Sequence, residues 1–290
     1  MSVINPSVFS FLSASPCAHA TDALDLGLGK SAVIWRNAHD RMCYERPGGH
    51  TFRLYLEGGS GTRRIDRADV NGWPGAFCVM PQGASSEWDI TDVFTFVHVY
   101  MPDKEMRRFY AETFDRDCRL MVVPDATFDH APTLGGALRR VAHAARSGDT
   151  LLADEAIATA LASFFVDSRY GGTRPISVKS GLAPAVRRRV TDYIEAHLET
   201  QITLPDLATI AGLSEFHLQR MFRVSCGVSP HSWVLHRRLA HAKTLLTGTE
   251  PIARIAAACG FSSQSHLTRV FKTMTGTTPS AFRQSVSGRA

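Results

Sequence analysis

The sequence predicts an α+β chain with two parts of different class, the first rich in β-strands and the second built only from helices. Three observations predict it. Short runs of β-branched and aromatic residues separated by glycine turns occupy positions 31–100, a helical period begins after Pro102, and a helix-turn-helix pattern occurs twice after Thr203. With 290 residues, 44% of them hydrophobic, the chain can bury two cores.

Composition sets the predicted domain boundaries. Residues 1–168 form the first domain, residues 169–184 a linker and residues 185–290 the second domain. The predicted linker is rich in glycine, proline, serine and charged residues, as flexible connections are. Residues 1–30 have only weak periodicity, and we expect them to form a partly ordered arm.

Five strands are predicted in the first domain, over residues 32–35, 41–45, 51–56, 76–80 and 93–100. In the third of them, Phe52, Leu54 and Leu56 alternate with Thr51, Arg53 and Tyr55. Many short strands with frequent glycine turns favour an antiparallel barrel or a double-sheet roll.

Three helices are predicted to follow, the first carrying Met106, Phe109, Tyr110 and Phe114 on one face and the others covering residues 133–145 and 150–170. The last has an apolar stripe at spacings of three and four. Such a stripe fits packing within its own domain, or alternatively a helix pair that also packs against a second subunit.

The second domain contains the same pattern twice. Gly212 and Gly260 are 48 residues apart, whereas His217 and His266 are 49 apart, so the second copy has one extra residue in its turn. Two copies are too few for a solenoid. We therefore predict two helix-turn-helix units joined by a helix over residues 230–246, a length of about 25 Å at the rise of an α-helix.

The net positive charge is concentrated in this domain. Residues 187–290 contain 13 Lys and Arg against 6 Asp and Glu, and residues 1–186 contain 19 against 21. A basic third joined to a near-neutral remainder indicates a polyanionic partner for the basic part, or alternatively an ordinary solvated surface.

The six cysteines include no C-x-x-C pair, which favours reduced intracellular thiols. The N-terminus has no positive charge before Lys30 and no signal-like apolar region, and no run of 18 apolar residues occurs. We predict a cytoplasmic protein without a membrane segment.

In a helix-turn-helix unit the second helix enters the major groove of DNA. Apolar residues such as Leu218 and Leu267 should hold these helices to their units, leaving a polar face outward. The predicted base-reading residues are Phe216, Gln219, Arg220, Gln264, Ser265, Thr268 and Arg269. Their side chains can donate to guanine or adenine or touch the thymine methyl group. Arg223, Lys272 and His217 are predicted to contact phosphate. The alternative is that each is only part of a solvated helix face.

These motifs resemble the AraC/XylS family of bacterial transcription regulators over about residues 187–285. The resemblance rests on Ala211-Gly-Leu-Ser214 with His217-Leu-Gln-Arg-Met-Phe222, on Arg238-Leu-Ala-His-Ala-Lys-Thr-Leu-Leu246, and on His266-Leu-Thr-Arg-Val-Phe-Lys272. It implies two motifs on one face of double-stranded DNA, with the base-reading positions given above. It also implies a homodimer, a small-molecule effector, and activation through contact with RNA polymerase.

The first domain resembles, less specifically, the cupin-like sensor and dimerisation half of this family. Pro74-Gly75, Pro81-Gln-Gly83 and Ser86-Glu-Trp88 match positions where such sensors place turns. Metal-dependent cupins carry an H-x-H pair, whereas this chain has His98-Val-Tyr100. We therefore predict no metal, no cofactor and no catalysis.

An effector pocket could be lined by His50, Arg53, Trp88 and His98, with Trp35, although each also fits a core or surface position. Two alternatives remain for the whole chain. One is an enzyme with a catalytic cupin barrel and an accessory DNA-binding module. The other is a constitutive DNA-binding protein whose first domain only dimerises. The sequence contains no G-x-S-x-G elbow, Walker loop or paired catalytic carboxylates.

Overall fold

A computed structural model of the chain describes residues 6–67, 70–173 and 181–287. The chain divides into two compact units, residues 1–177 and residues 178–290. Part of the predicted linker, residues 174–180, lies outside the described residues. Within its described part, Tyr170 stacks on Phe164 with ring centroids 4.9 Å apart. The predicted domain boundaries stay predictions.

The first unit contains two antiparallel sheets. The larger has the strand order β1 (His19–Asp25), β2 (Ser31–Asn37), β8 (Phe94–Met101), β4 (His50–Glu57), β6 (Phe77–Met80) and β9 (Ala126–Asp129). The smaller has the order β3 (Asp40–Tyr44), β7 (Ser86–Ile90) and β5 (Thr62–Arg64). Among the described residues neither sheet closes on itself. The mixed α and β composition is confirmed, and the closed barrel is not.

The main core of this unit draws residues from both sheets. Trp35, Tyr55 and Phe96 come from the larger sheet, and Tyr44 and Trp88 from the smaller. Because side chains on a strand alternate between faces, the opposite face of β4 points away from this core and is covered by helix residues. There Phe52 meets Phe164 edge to face at 5.3 Å.

Helix α1 (Val8–Ala14) and strand β1 both lie in the segment expected to be an arm. Ser7 caps the helix by accepting a hydrogen bond from the Ser10 amide, and Val8 and Leu12 are fully buried. The arm prediction is therefore wrong for this segment, because the spacing of Val8 and Leu12 gives one buried helix face. The turn expected at Ser86-Glu-Trp88 is also wrong, since these residues open β7 with alternating burial.

Three longer helices complete the unit: α2 (Asp103–Phe114), α3 (Pro132–Ser147) and α4 (Thr150–Val166). Helices α3 and α4 pack together, and α3 also contacts the larger sheet. The stripe on α4 lies within its own unit, where Phe165 contacts Tyr110 at 5.0 Å between centroids. A buried ion pair of 3.0 Å between Lys30 and Asp154 ties α4 to the sheet.

The described part of the second unit is entirely helical, as predicted. Its helices are α5 (Pro184–Ala196), α6 (Leu204–Ala211), α7 (Glu215–Cys226), α8 (Pro230–Leu245), α9 (Ile252–Ala258), α10 (Gln264–Thr275) and α11 (Pro279–Ser287). Across the ranges that the structure describes, no helix combines the length and apolar character needed to cross a membrane.

Candidate nucleic-acid interface

Helices α7 and α10, which we call the reading helices, have the same design at an offset of 49 residues. Each is 12 residues long. Ser214 and Ser263 cap their N-termini by accepting hydrogen bonds from the His217 and His266 amides, at 3.3 and 3.1 Å. The glycines that follow their last residues have φ values of 75° and 80°.

Each reading helix is held by two fully buried side chains. In α7 these are Leu218 and Phe222, and in α10 they are Leu267 and Phe271. Phe222 meets Trp233 of α8 edge to face at 6.0 Å. Leu267 and Phe271 lie in a cluster built from α8, α9 and α10. The opposite face of each helix is consequently free to carry polar residues.

Helix α10 presents its predicted residues to solvent. Gln264, Ser265 and Arg269 are exposed, as is the predicted phosphate ligand Lys272. Thr268 is half-buried, and its hydroxyl donates to the Gln264 carbonyl at 2.8 Å. The exposed arginine, glutamine and lysine therefore form a continuous polar face.

Helix α7 presents its residues less fully. His217 and Arg223 are exposed, whereas Gln219 and Arg220 are half-buried. The Gln219 amide nitrogen is covered and has no hydrogen-bond partner among the described residues. Reading a base with this amide would need a change of rotamer.

The predicted outward orientation of Phe216 is wrong, because this residue is only 7% exposed. Burial of a phenyl ring stabilises a fold by about 1.5–3 kcal/mol relative to leaving the ring in solvent, and this favours a buried position for Phe216. The equivalent residue of the second copy is the exposed Ser265. As placed, the Phe216 ring cannot reach a thymine methyl group without moving.

Arg238 of α8 links the two helix-turn-helix units, a role that the sequence did not reveal. Its Nε donates to the Leu198 carbonyl at 3.0 Å, and its Nη2 donates to the Thr200 carbonyl at 2.7 Å. Gly260, in the turn of the second unit, lies against the same groups. A Cβ atom there would stand 2.2 Å from the Leu198 carbonyl oxygen and 2.8 Å from Arg238 Cζ.

Three of the four predicted effector-pocket residues lie together between the two sheets. Arg53 and His98 are directly paired across β4 and β8, and Arg53 Nε donates to His98 Nε2 at 2.7 Å. The Arg53 guanidinium lies 4.6 Å from the centre of the Trp88 ring. Trp35 joins this group because its indole N–H donates to the Tyr100 hydroxyl at 3.0 Å, and Tyr100 contacts His98 at 2.9 Å.

His50 lies elsewhere, beside a cavity of about 740 Å³ at the edge of the larger sheet. Its Nδ1 accepts from the Gln82 amide at 3.2 Å, so its Nε2 carries the proton towards Asp103 Oδ1 at 3.0 Å. Burial lowers the pKa of His50, although Asp103 acts in the opposite direction. His50 therefore lines this cavity, whereas Arg53, Trp88 and His98 do not, and the set of effector-pocket residues stays a prediction.

Across residues 6–67, 70–173 and 181–287, no three His, Cys, Asp or Glu side chains are placed to hold a metal ion. The predictions of no metal, no cofactor and no catalysis stay predictions.

Two helices of equal length, with equivalent caps and equivalent buried side chains, define a protein with a double helix-turn-helix domain. Residues 207–285 match the model of a helix-turn-helix domain family. The chain is 34% identical over 95 residues to the probable transcriptional regulator LumQ of Photobacterium leiognathi. The aligned region covers 32% of this chain and 38% of LumQ. It is 42% identical over 96 residues to an uncharacterized HTH-type transcriptional regulator of Staphylococcus aureus strain COL, covering 33% and 13% respectively.

Two solved structures are each similar to about a third of the chain. A probable AraC family transcriptional regulator from Rhodopseudomonas palustris is 32% identical, with 35% of this chain and 97% of that chain covered and a TM-score of 0.33. The DNA-binding domain of AdpA, crystallised with a target DNA, is 30% identical, with 36% and 94% covered and a TM-score of 0.35.

Over residues 207–285 the chain has the helix-turn-helix domain of an AraC/XylS-type transcription regulator. It matches 38% of the length of LumQ and 13% of the staphylococcal protein, so the shared region is only part of either relative. The alternative of a catalytic barrel with an accessory DNA-binding module gains no support from these relatives.

Proposed function

We propose that the chain is a sequence-specific transcription regulator that binds double-stranded DNA and reads two successive major grooves with α7 and α10. The observation that supports this most is the equivalence of Arg220 and Arg269 on two helices of equal length and equal capping. Arginine can donate twice to guanine in the major groove. Arg223 and Lys272, which are also equivalent and both exposed, are then placed for phosphate.

Helix α8 sets the separation of the two reading helices. Its 16 residues span about 24 Å at the rise of an α-helix. Successive major grooves on one face lie about 34 Å apart, which the rod and the offsets of the reading helices at its ends can match. The net charge of +7 over residues 187–290, from 13 basic and 6 acidic residues, favours binding to a polyanion such as DNA.

The first unit, in this proposal, is a cupin-like sensor that responds to a small molecule and forms a homodimer through its helices. Effector binding shifts the population between arrangements that are competent and incompetent to read DNA. The regulator acts in the cytoplasm and activates transcription through contact with RNA polymerase, as the family resemblance implies.

The test is selection of binding sites from random duplexes with the full chain, followed by hydroxyl-radical footprinting on the selected site. We expect two protected segments on one face of the duplex, about 10 base pairs apart between centres. Protection limited to a single helical turn, or none at moderate salt, would refute reading by two helices.

A further inference from the structure

The core of the first unit contains a buried cation whose partners are all neutral. Arg53 is 2% exposed, and it hydrogen-bonds to His98, to the Tyr55 hydroxyl at 3.4 Å and to the Tyr44 hydroxyl at 3.3 Å. The rings of Trp88 and Phe96 lie 4.6 and 4.9 Å from its guanidinium carbon. Within the part of the chain that the structure describes, no carboxylate pairs with it. A buried charge is costly unless it is paired.

His98 cannot supply negative charge to this group. Arginine stays protonated, so Arg53 Nε must donate, and His98 Nε2 must accept as part of a neutral imidazole. The proton of that ring then lies on Nδ1 and is donated to the Tyr100 hydroxyl. Burial, followed by the neighbouring charge of Arg53, holds the pKa of His98 well below its ordinary value.

Hydrogen-bond donors exceed acceptors around this arginine. The Tyr100 oxygen accepts from both Trp35 and His98, which leaves its own hydrogen to donate. The hydroxyls of Tyr44 and Tyr55 accept from Arg53, and their hydrogens likewise have no acceptor among the described residues. Within the described ranges, two of the four N–H groups on Nη1 and Nη2 of Arg53 also meet no acceptor.

We propose that this cluster, Arg53 with His98, Tyr44, Tyr55 and Tyr100, is the effector site and that its ligand is a small carboxylate. A carboxylate matches the terminal fork of a guanidinium with two parallel hydrogen bonds and supplies the counter-charge. Its remaining lone pairs accept from the tyrosine hydroxyls. The inference rests on the proposed role of the first unit as a sensor, and it names the chemical class of the effector.

A cavity lies beside one member of the cluster. This cavity of about 740 Å³ is lined by Tyr100 and by Phe9 of α1 but not by Arg53, and the Tyr100 hydroxyl is hydrogen-bonded to His98, which accepts from Arg53. Phe11 of the same helix meets the Tyr44 ring at 5.8 Å. Helix α1 thus borders both the cavity and the cluster, so in this proposal a ligand reaches Arg53 from the cavity by displacing α1.

The test uses the full chain and four carboxylates of increasing size: acetate, butanoate, hexanoate and benzoate. Each is compared with its primary amide, which has the same shape without the charge. Thermal unfolding and isothermal titration calorimetry report binding. We expect at least one carboxylate to bind and to raise the midpoint of unfolding. The affinity of its amide should be lower by a factor of about 30 or more.

Variants separate the cluster from general anion binding. Arg53→Gln should lower the affinity for the same carboxylate about 30-fold or more, and Tyr100→Phe should lower it several-fold. Arg41→Gln is the matched control, since this arginine of the same unit has a side chain that is 68% exposed. If Arg53→Gln does not fold, the Tyr100→Phe result and the comparison with the amides still decide whether the carboxylate binds at this cluster.

Equal binding of acid and amide, equal binding by all variants, or no binding by any of the four acids would overturn the assignment. DNA binding is measured separately on the ligand-free chain. A chain that binds carboxylate but no DNA would retain the ligand class and refute the regulator, whereas one that binds only DNA would do the reverse.

Discussion

Arg269 and Lys272 are both exposed on α10, less than one turn apart, and we predict different effects for them. Arg269→Ala should reduce the free energy of binding to the selected site by about 1–3 kcal/mol and relax base preference at one position, because a base contact is lost. Lys272→Ala should lower the affinity for specific and random duplexes alike and reduce the slope of log K against log salt by about 0.9, because a phosphate contact is lost. Titrations at several salt concentrations measure both. Identical behaviour of the two variants would refute the assignment of base and phosphate roles.

His98 should make the first unit sensitive to acid. Its pKa is lowered in the fold by burial and by Arg53, so below a pH of about 6.5 the unfolded state binds a proton that the folded state rejects. Stability from this group is therefore complete above that pH and is lost as pH falls, at up to about 1.4 kcal/mol per pH unit. His50, whose pKa is also lowered, adds to the loss.

His98→Gln removes this titration while its amide can still meet Arg53 and Tyr100. Denaturant unfolding between pH 7.5 and 5 should show a shallower dependence on pH for this variant. The control is His19→Asn, at an exposed strand position. An unchanged pH dependence in His98→Gln would contradict the neutral buried imidazole.

Individual residues were predictable where spacing alone determines their environment. The 49-residue offset placed Arg220 and Arg269 on equivalent turns. It could not reveal that Phe216 is buried, because apolar neighbours that cover a ring come from other parts of the chain. The pair of Arg53 and His98 depends on strand register across 45 residues, which a single sequence does not specify.

Elements were predictable where their ends carry a chemical signal. Thr203 and Asp206 form a capping box at the start of α6, and Ser214 and Ser229 cap the two helices that follow. Strand β5 gave no such signal, since it has only three residues, Thr-Arg-Arg. Its Arg64 is buried because Asp66 and Asp125 pair with it, and Asp125 is far along the chain.

Arg238 makes a prediction about the coupling of elements. Arg238→Ala should destabilise the second unit by about 1–3 kcal/mol, because the variant loses two hydrogen bonds to carbonyl groups. It should also weaken binding to the complete site more than binding to either half-site, since the two helix-turn-helix units lose the residue that links them. Affinity for duplexes carrying one or both half-sites measures this difference.

The neighbouring Arg237 is the control on the same helix. It pairs with Glu195 through side chains that are 48% and 39% exposed, and such pairs contribute about 0–1 kcal/mol. Arg237→Ala should therefore leave the preference for the complete site unchanged. A uniform loss across all duplexes in Arg238→Ala would show that the arginine only supports folding.

At the scale of the whole molecule, the two proposals are joined by thermodynamic linkage. If a carboxylate at Arg53 changes the affinity of the chain for its DNA site by some factor, the DNA must change the affinity for that carboxylate by the same factor. This equality holds whether the ligand favours or opposes DNA binding. It therefore tests communication between the units without assuming activation or repression.

We expect a factor of about 5–150, typical of coupled sites. Calorimetric titration of the carboxylate with and without the duplex, and of the duplex with and without saturating carboxylate, should give equal ratios. Arg53→Gln should remove the coupling and leave DNA affinity without ligand intact, whereas Arg269→Ala should lower DNA affinity and leave carboxylate affinity without DNA intact. Ratios of one in both directions, with both ligands bound, would mean that the first unit binds a carboxylate without regulating the second. The buried arginine would then serve another purpose than control of DNA reading.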